Sequence, residues 1–142
     1  MENMQPKIND FSERERTRLA EGLARGRELC AKFETQQRGP VTAAVLDRVF
    51  QAWASNHAGQ SIAADEVACG LGYLFGELLK TDFGFVWQMI EDRHGIEPAM
   101  VDEITGSIVF PVNTVWKRIE PKVDSQAFFQ PMYDAIAGHL KK

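Results

Sequence analysis

The apolar period of this chain changes from helical to twofold after Lys80, and the change limits what the chain can become. Up to Lys80 the large apolar residues recur every three or four positions. After "TDFG" they alternate, with Phe85, Trp87 and Met89 on one side and Val86, Gln88 and Ile90 on the other. The first spacing makes a stripe on a helix, the second the two faces of a strand. Helices, then strands, then a return to helices is the order of an α+β domain. The 142 residues fit one domain over 1–142, a size at which folding buries roughly two-thirds of the unfolded surface. Its parts are expected to be a helical stretch over 10–80, an antiparallel β-meander over 83–112 and closing helices over 113–142.

Ser12 to Glu15 reads S-E-R-E, a capping box in which each side chain takes up an orphan backbone amide, so a helix should follow. Its apolar stripe is Leu19, Leu23, Leu29, Cys30 and Phe33, and its arginines alternate with glutamates. That alternation cancels the field a nucleic-acid contact would need and suits a salt-bridged exposed face. After the break at "RGPV", Leu46, Val49, Phe50 and Trp53 lie at i, i+3, i+4 and i+7, giving a second helix ended by "NHAGQS". A third, about 62–80, contains "ACGLGYLFG". A dinucleotide loop needs a strand and a turn before its glycines, and here the preceding residues are helical. Ala64, Ala68, Gly72 and Gly76 instead fall every fourth residue, a smooth ridge on which another backbone can pack. A mid-helix glycine costs about 1 kcal/mol relative to alanine, so close packing should compensate.

The meander is expected to have three strands. "EDRHG" turns the first into the second, with Gly95 supplying positive φ, and "TG" at Thr105 and Gly106 turns into the third, Ser107 to Val112. Pro98 should make the second strand irregular, since proline cannot donate to a ladder. Asn113 or Thr114 then caps a short helix through "VWKRIE", ended by Pro121, and "DSQAFFQPMYDAIAGHLKK" closes the chain. Pro131 requires that last helix either to begin near Gln130 or to be two pieces.

Charge and cysteine content narrow the class. The net charge is -4, and the segment from Glu77 to Glu103 alone holds seven acids against Lys80 and Arg93. Acid gathered in one place disfavours nucleic acid and suits a basic partner. Cys30 and Cys69 lie in apolar helical patterns without a second cysteine or a nearby histidine, which reads as two buried thiols in a reducing compartment. The beginning of the chain lacks the pattern of a signal peptide and no stretch reaches the apolar length of a bilayer span, so a cytoplasmic protein with no membrane contact is expected.

Three stretches taken together, "GLGYLFGELL", "FVWQMIEDRHG" and "IVFPVNTVWKR", resemble the core of the bacterial domain of unknown function 3806 family. The matching positions are Gly70, Phe75, Gly76, Trp87, Asp92, Gly95, Phe110, Pro111, Val115, Lys117 and Arg118, and the resemblance runs from about Val67 to Arg118. It implies the order helix, strand, acidic turn, strand ending in Phe-Pro, then a basic helix, and it implies no activity.

The residues themselves offer little chemistry. His57, His94 and His139 are far apart, and Glu91, Asp92 and His94 form the one compact set of potential ligands, too few for a closed metal site. No serine sits in a nucleophile elbow, and acids on an exposed hairpin lack the desolvation that tunes a catalytic carboxyl. No enzyme activity, metal or cofactor is therefore expected. Lys117 and Arg118 are about 100° apart on a helix, so one should point at the sheet, pair with Glu91 or Asp92 and hold the helix there, while the other faces water. The expected function is recognition of a basic protein partner through an acidic hairpin bearing Glu91, Asp92, Glu97, Asp102 and Glu103. By analogy of size and charge, this would be an immunity protein facing a toxin. The alternative is a small anionic ligand, or an enzyme site, held by Lys117 and Arg118 beside Trp87 and Trp116.

Overall fold

A computed structural model of the chain describes residues 6–34, 39–55, 62–93, 95–120 and 126–140. In chain order its elements are β1 (Lys7–Asp10), α1 (Glu13–Phe33), α2 (Ala43–Ser55), α3 (Ala64–Phe83), β2 (Val86–Asp92), β3 (Gly95–Val101), β4 (Ile108–Val109), α4 (Pro111–Ile119) and α5 (Phe129–Leu140). The four strands form one antiparallel sheet in the order β1-β2-β3-β4. The α+β class is as the alternating and helical periods require, but the sheet has a fourth strand. β1, "KIND", pairs Lys7 to Asp10 with Glu91 to Gln88, and its four exposed residues carry no apolar alternation for a sequence pattern to detect.

The helices begin and end for local reasons. Ser12 Oγ accepts the Glu15 amide and the Glu15 carboxylate accepts the Ser12 amide at 2.8 Å, which completes the expected capping box of α1. α3 begins two residues later than expected and runs three residues further, to Phe83, where it is capped by Gly84, whose φ of 76° lets its amide reach the Leu79 and Lys80 carbonyls. α4 begins at Pro111, earlier than Asn113 or Thr114, because a proline in the first turn has no amide to leave unsatisfied. The third strand shrinks accordingly to two residues. The Pro121 stop expected for α4 lies outside the described residues.

α5 begins on a side chain from another helix. Asp47, on α2 and only 5% exposed, accepts the amides of Phe128, Phe129 and Gln130 at 2.8, 2.8 and 2.9 Å. Those are orphan donors of a helix start, and a carboxylate there is also favoured by the helix dipole. Pro131 is the third residue of this helix, where its missing amide costs no internal bond.

β3 is regular through Pro98, contrary to expectation. Met89 opposes Pro98 in an unbroken register, and β4 pairs only with Met100 and Val101. The side of Pro98 turned away from β2 has no strand to bond, so its missing N–H is lost at an edge.

The main core lies between α3 and everything around it. Phe50 and Trp53 of α2, Leu71, Phe75 and Leu79 of α3, Met100 of β3, Val115 of α4 and Phe129 of α5 are all fully buried. Glycines set the spacing. A Cβ on Gly70 would lie 3.1 Å from the backbone of Gly26 on α1, and one on Gly72 would lie 2.7 Å from the Cα of Val112 on α4. At Gly76 it would run into the Trp87 ring. The ridge reading thus holds for Gly72, where a backbone approaches; Gly76 instead makes room for a side chain, the Trp87 ring, and Gly70, outside that ridge, packs α3 against a second helix. The opposite face of the sheet holds a smaller cluster, Ile90, Ala99 and Val101 with Val86 and Phe110.

Candidate functional site

The five acids expected on one hairpin lie at opposite ends of β3. Glu91, Asp92 and Glu97 are near the β2–β3 turn, and Asp102 and Glu103 follow the other end of β3. Seven residues of strand separate the ends by roughly 20 Å, so the acids cannot form a single continuous patch.

At the first end, register does the positioning. Glu97 faces Ile90, and Asp92 is two residues beyond Ile90, so the two carboxylates are diagonal neighbours on one face. Gly95, with φ of 125°, makes the turn between their strands. Partial burial and then the charge of Asp92 push the Glu97 carboxyl above its ordinary range, and Lys117 of α4 pulls it part of the way back. Glu91 is on the other face, opposite Lys7 and Ile96, and is exposed. Lys117 is exposed and acts on Glu97 through its charge. Arg118 does not simply face water: it is half-buried, its guanidinium carbon 5.1 Å from the centroid of the Phe128 ring.

The alternative anion site is not assembled. Trp87 donates its indole N–H to Glu77 at 2.8 Å and lies against Phe11, Tyr73 and Gly76, as a wall of the core. Trp116 and Lys117 line an open groove on α4 with Asn113 and Glu120, about 390 Å³ in volume. Arg118 is committed to Phe128 on another side of the helix. A carboxylate in the Trp116 groove opposes an anion, so the four residues do not make one ligand site.

At the second end, Asp102 is only 6% exposed, against the expectation that it stands in water. Its oxygens accept the Thr105 hydroxyl at 2.5 Å and the Ile104 amide at 3.3 Å, and the Thr105 bond leads in lowering its carboxyl pKa. Ser107 Oγ is 2.9 Å from Thr105 Oγ1. Asp102 therefore holds the turn that Gly106, with φ of 79°, completes. Glu103 is exposed beside it.

Sequence reasoning missed what surrounds this turn. Ile104 is 94% exposed and Ile108, on the outer strand, 39%. Beneath β4 runs an apolar groove of about 200 Å³, lined by Phe85 just before β2, Val109 of β4, Met132, Ile136 and Leu140 of α5, and exposed His139. The signal was present, since "DEITG" puts a lone isoleucine in a turn, but only the third dimension brings α5 alongside it.

The remaining candidates are structural. Burial pushes the Cys30 thiol up to about 11, so it is no nucleophile at neutral pH. Cys69 is exposed, not buried as expected, because it lies on α3 at an open groove that Arg18, Glu21 and Arg25 of α1 also line; partial burial of its thiol and the charge of Asp65 raise its pKa. Among the described residues no group of three or more His, Cys, Asp or Glu could hold a metal ion. The Glu91, Asp92 and His94 cluster depends on His94, which, like His57, lies outside the described residues. No helix among the described residues is long and apolar enough to cross a membrane.

Comparison with known proteins agrees with the fold and is silent on chemistry. A family model described as Domain of unknown function (DUF3806) matches residues 45–129. No curated protein matches the chain. A crystal structure of a protein from Bacteroides thetaiotaomicron VPI-5482 superposes with a TM-score of 0.66 at 14% sequence identity. The match covers 94% of this chain and 49% of that one, so the chain spans about half the length of its structural neighbour.

Proposed function

This chain belongs to the family described as Domain of unknown function (DUF3806), and from that premise we propose that it is a non-catalytic domain that binds a basic partner protein. The surface is the β2–β3 end of the sheet, with Asp92 and Glu97 on one face and Glu91 on the other. Asp102 and Glu103 are not part of it.

One observation supports this reading above the others. Asp92 and Glu97 share a face, and the Glu97 carboxyl is raised by burial and by its neighbour's charge despite Lys117. The ionised form of Glu97 is thus disfavoured in the protein alone, and a lysine or arginine from a partner would relieve it. In the sharpest form of this reading, the protein is an immunity protein that occludes a basic toxin, an inference from size and acidity.

The test compares wild type with Glu91→Lys/Asp92→Lys/Glu97→Lys as bait in native extract. Circular dichroism should first show that the variant is folded. Wild type should retain a basic protein in a salt-sensitive manner and the variant should lose it. Recovery of the same proteins by both would sink the acidic-surface reading. For the immunity form, co-expression with the product of the neighbouring gene should restore growth with wild type and not with the triple variant.

A further inference from the structure

We propose that the outer edge of β4 is a docking site for an extended strand of a partner protein, one carrying alternating aliphatic and cationic side chains. This surface is distinct from the acidic end used above, and three observations converge on it.

The first is an open backbone. The Asp102 amide donates to the Ser107 carbonyl at 2.9 Å, and Met100 and Val101 pair with Val109 and Ile108. Antiparallel ladders alternate, so the residue after a bonded position turns its N–H and C=O to the other side. Ile108 therefore presents both groups along the outer edge, and no partner for its amide is found among the described residues.

The second is the lack of protection. β1, the opposite edge, carries Lys7 and Asp10, charges of the kind that discourage strand addition. β4 consists of Ile108 and Val109, with Ile108 39% exposed and Ile104 94% exposed beside it. Charge is absent from the edge strand itself.

The third is a receptacle. On the face opposite the Ile108 side chain, the groove beneath Val109 is lined by Met132, Ile136 and Leu140. A strand added to β4 would send alternate side chains to that face, where an aliphatic group fits the groove. Its other side chains would pass beside Ile108. Glu103, exposed on the adjoining turn, supplies the complement for a cation and makes an acidic segment the wrong occupant.

The test uses the full chain and the probe peptide Lys-Val-Lys-Ile-Lys-Val-Lys, with Glu-Val-Glu-Ile-Glu-Val-Glu as its counterpart. Saturable binding of the basic probe should shift the backbone amide resonances of Ile108 and Val109, and the acidic probe should not. Ile108→Pro removes only the outward donor, because this position bonds nothing in β3, and should weaken binding about tenfold with the fold intact. Ile136→Lys, which puts a charge at the groove, should weaken it similarly. The Glu91, Asp92 and Glu97 reversal should leave probe binding in place, which separates this proposal from the one above. Equal binding by Ile108→Pro, equal binding of both probes, no binding of either, or self-association through β4 in place of peptide binding would each overturn it.

Discussion

Asp47 shows what a single side chain can hold together. Three amides at the start of α5 converge on its buried carboxylate, and removing an acceptor from buried donors costs more than the net worth of the bonds. Asp47→Ala should destabilise the protein by about 3 kcal/mol, and Asp47→Asn, which keeps one oxygen, by less. Urea denaturation measures both. An unchanged midpoint for Asp47→Ala would mean that water can replace the carboxylate. The glycines give a second test at this scale. Alanine normally improves a helix, by roughly 0.5–1 kcal/mol. A Cβ on Gly138 would meet nothing within 4 Å, so Gly138→Ala should show that gain. A Cβ on Gly26 would meet the Gly70 carbonyl, which is backbone and cannot swing aside. Gly26→Ala should therefore lose about 2 kcal/mol. Thermal melts of the two variants should move in opposite directions.

The elements show which parts of the fold were legible in the sequence. Capping boxes, apolar stripes and the two glycine turns are local, and α1, α2, α3 and the β2–β3 hairpin follow from them. β1 was not legible, because "KIND" has no apolar alternation and exists as a strand only by pairing with β2. The acidic site was half legible: the residues were visible, but sequence cannot say that β3 carries Asp102 and Glu103 away from Glu91, Asp92 and Glu97. The hairpin that remains has a definite acid response. The Glu97 carboxyl is raised in the folded protein, so the protein binds that proton more tightly folded than unfolded. Its contribution is fully present below the unfolded pKa and is lost as pH rises through the folded one. Glu97→Gln should accordingly be more stable than wild type at neutral pH, with the difference vanishing on acidification. Denaturation midpoints across that window would show it, and a constant difference would mean that the effect is not ionisation.

At the scale of the molecule, the family match and the folding unit have different limits. The matched segment, 45–129, begins inside α2, ends on the first residue of α5 and leaves out β1 and α1. Yet α1 covers α3 through a close helix approach, where Gly26 and Gly70 let the two backbones meet, and Leu29 and Cys30 are buried there. Without α1 the face of α3 that carries Gly70 and Leu74 would be open to water, and without the rest of α5 the carboxylate of Asp47 would lose the Gln130 amide and the helix whose start it holds. The segment has helices but lacks two of the surfaces that fix them. A fragment spanning 45–129 should show helical circular dichroism with a broad, non-cooperative thermal transition, while the full chain melts sharply. A sharp transition in the fragment would demote α1 to an appendage. In that case the glycine contact between α1 and α3 would need another explanation, such as a site where α1 is displaced by a partner.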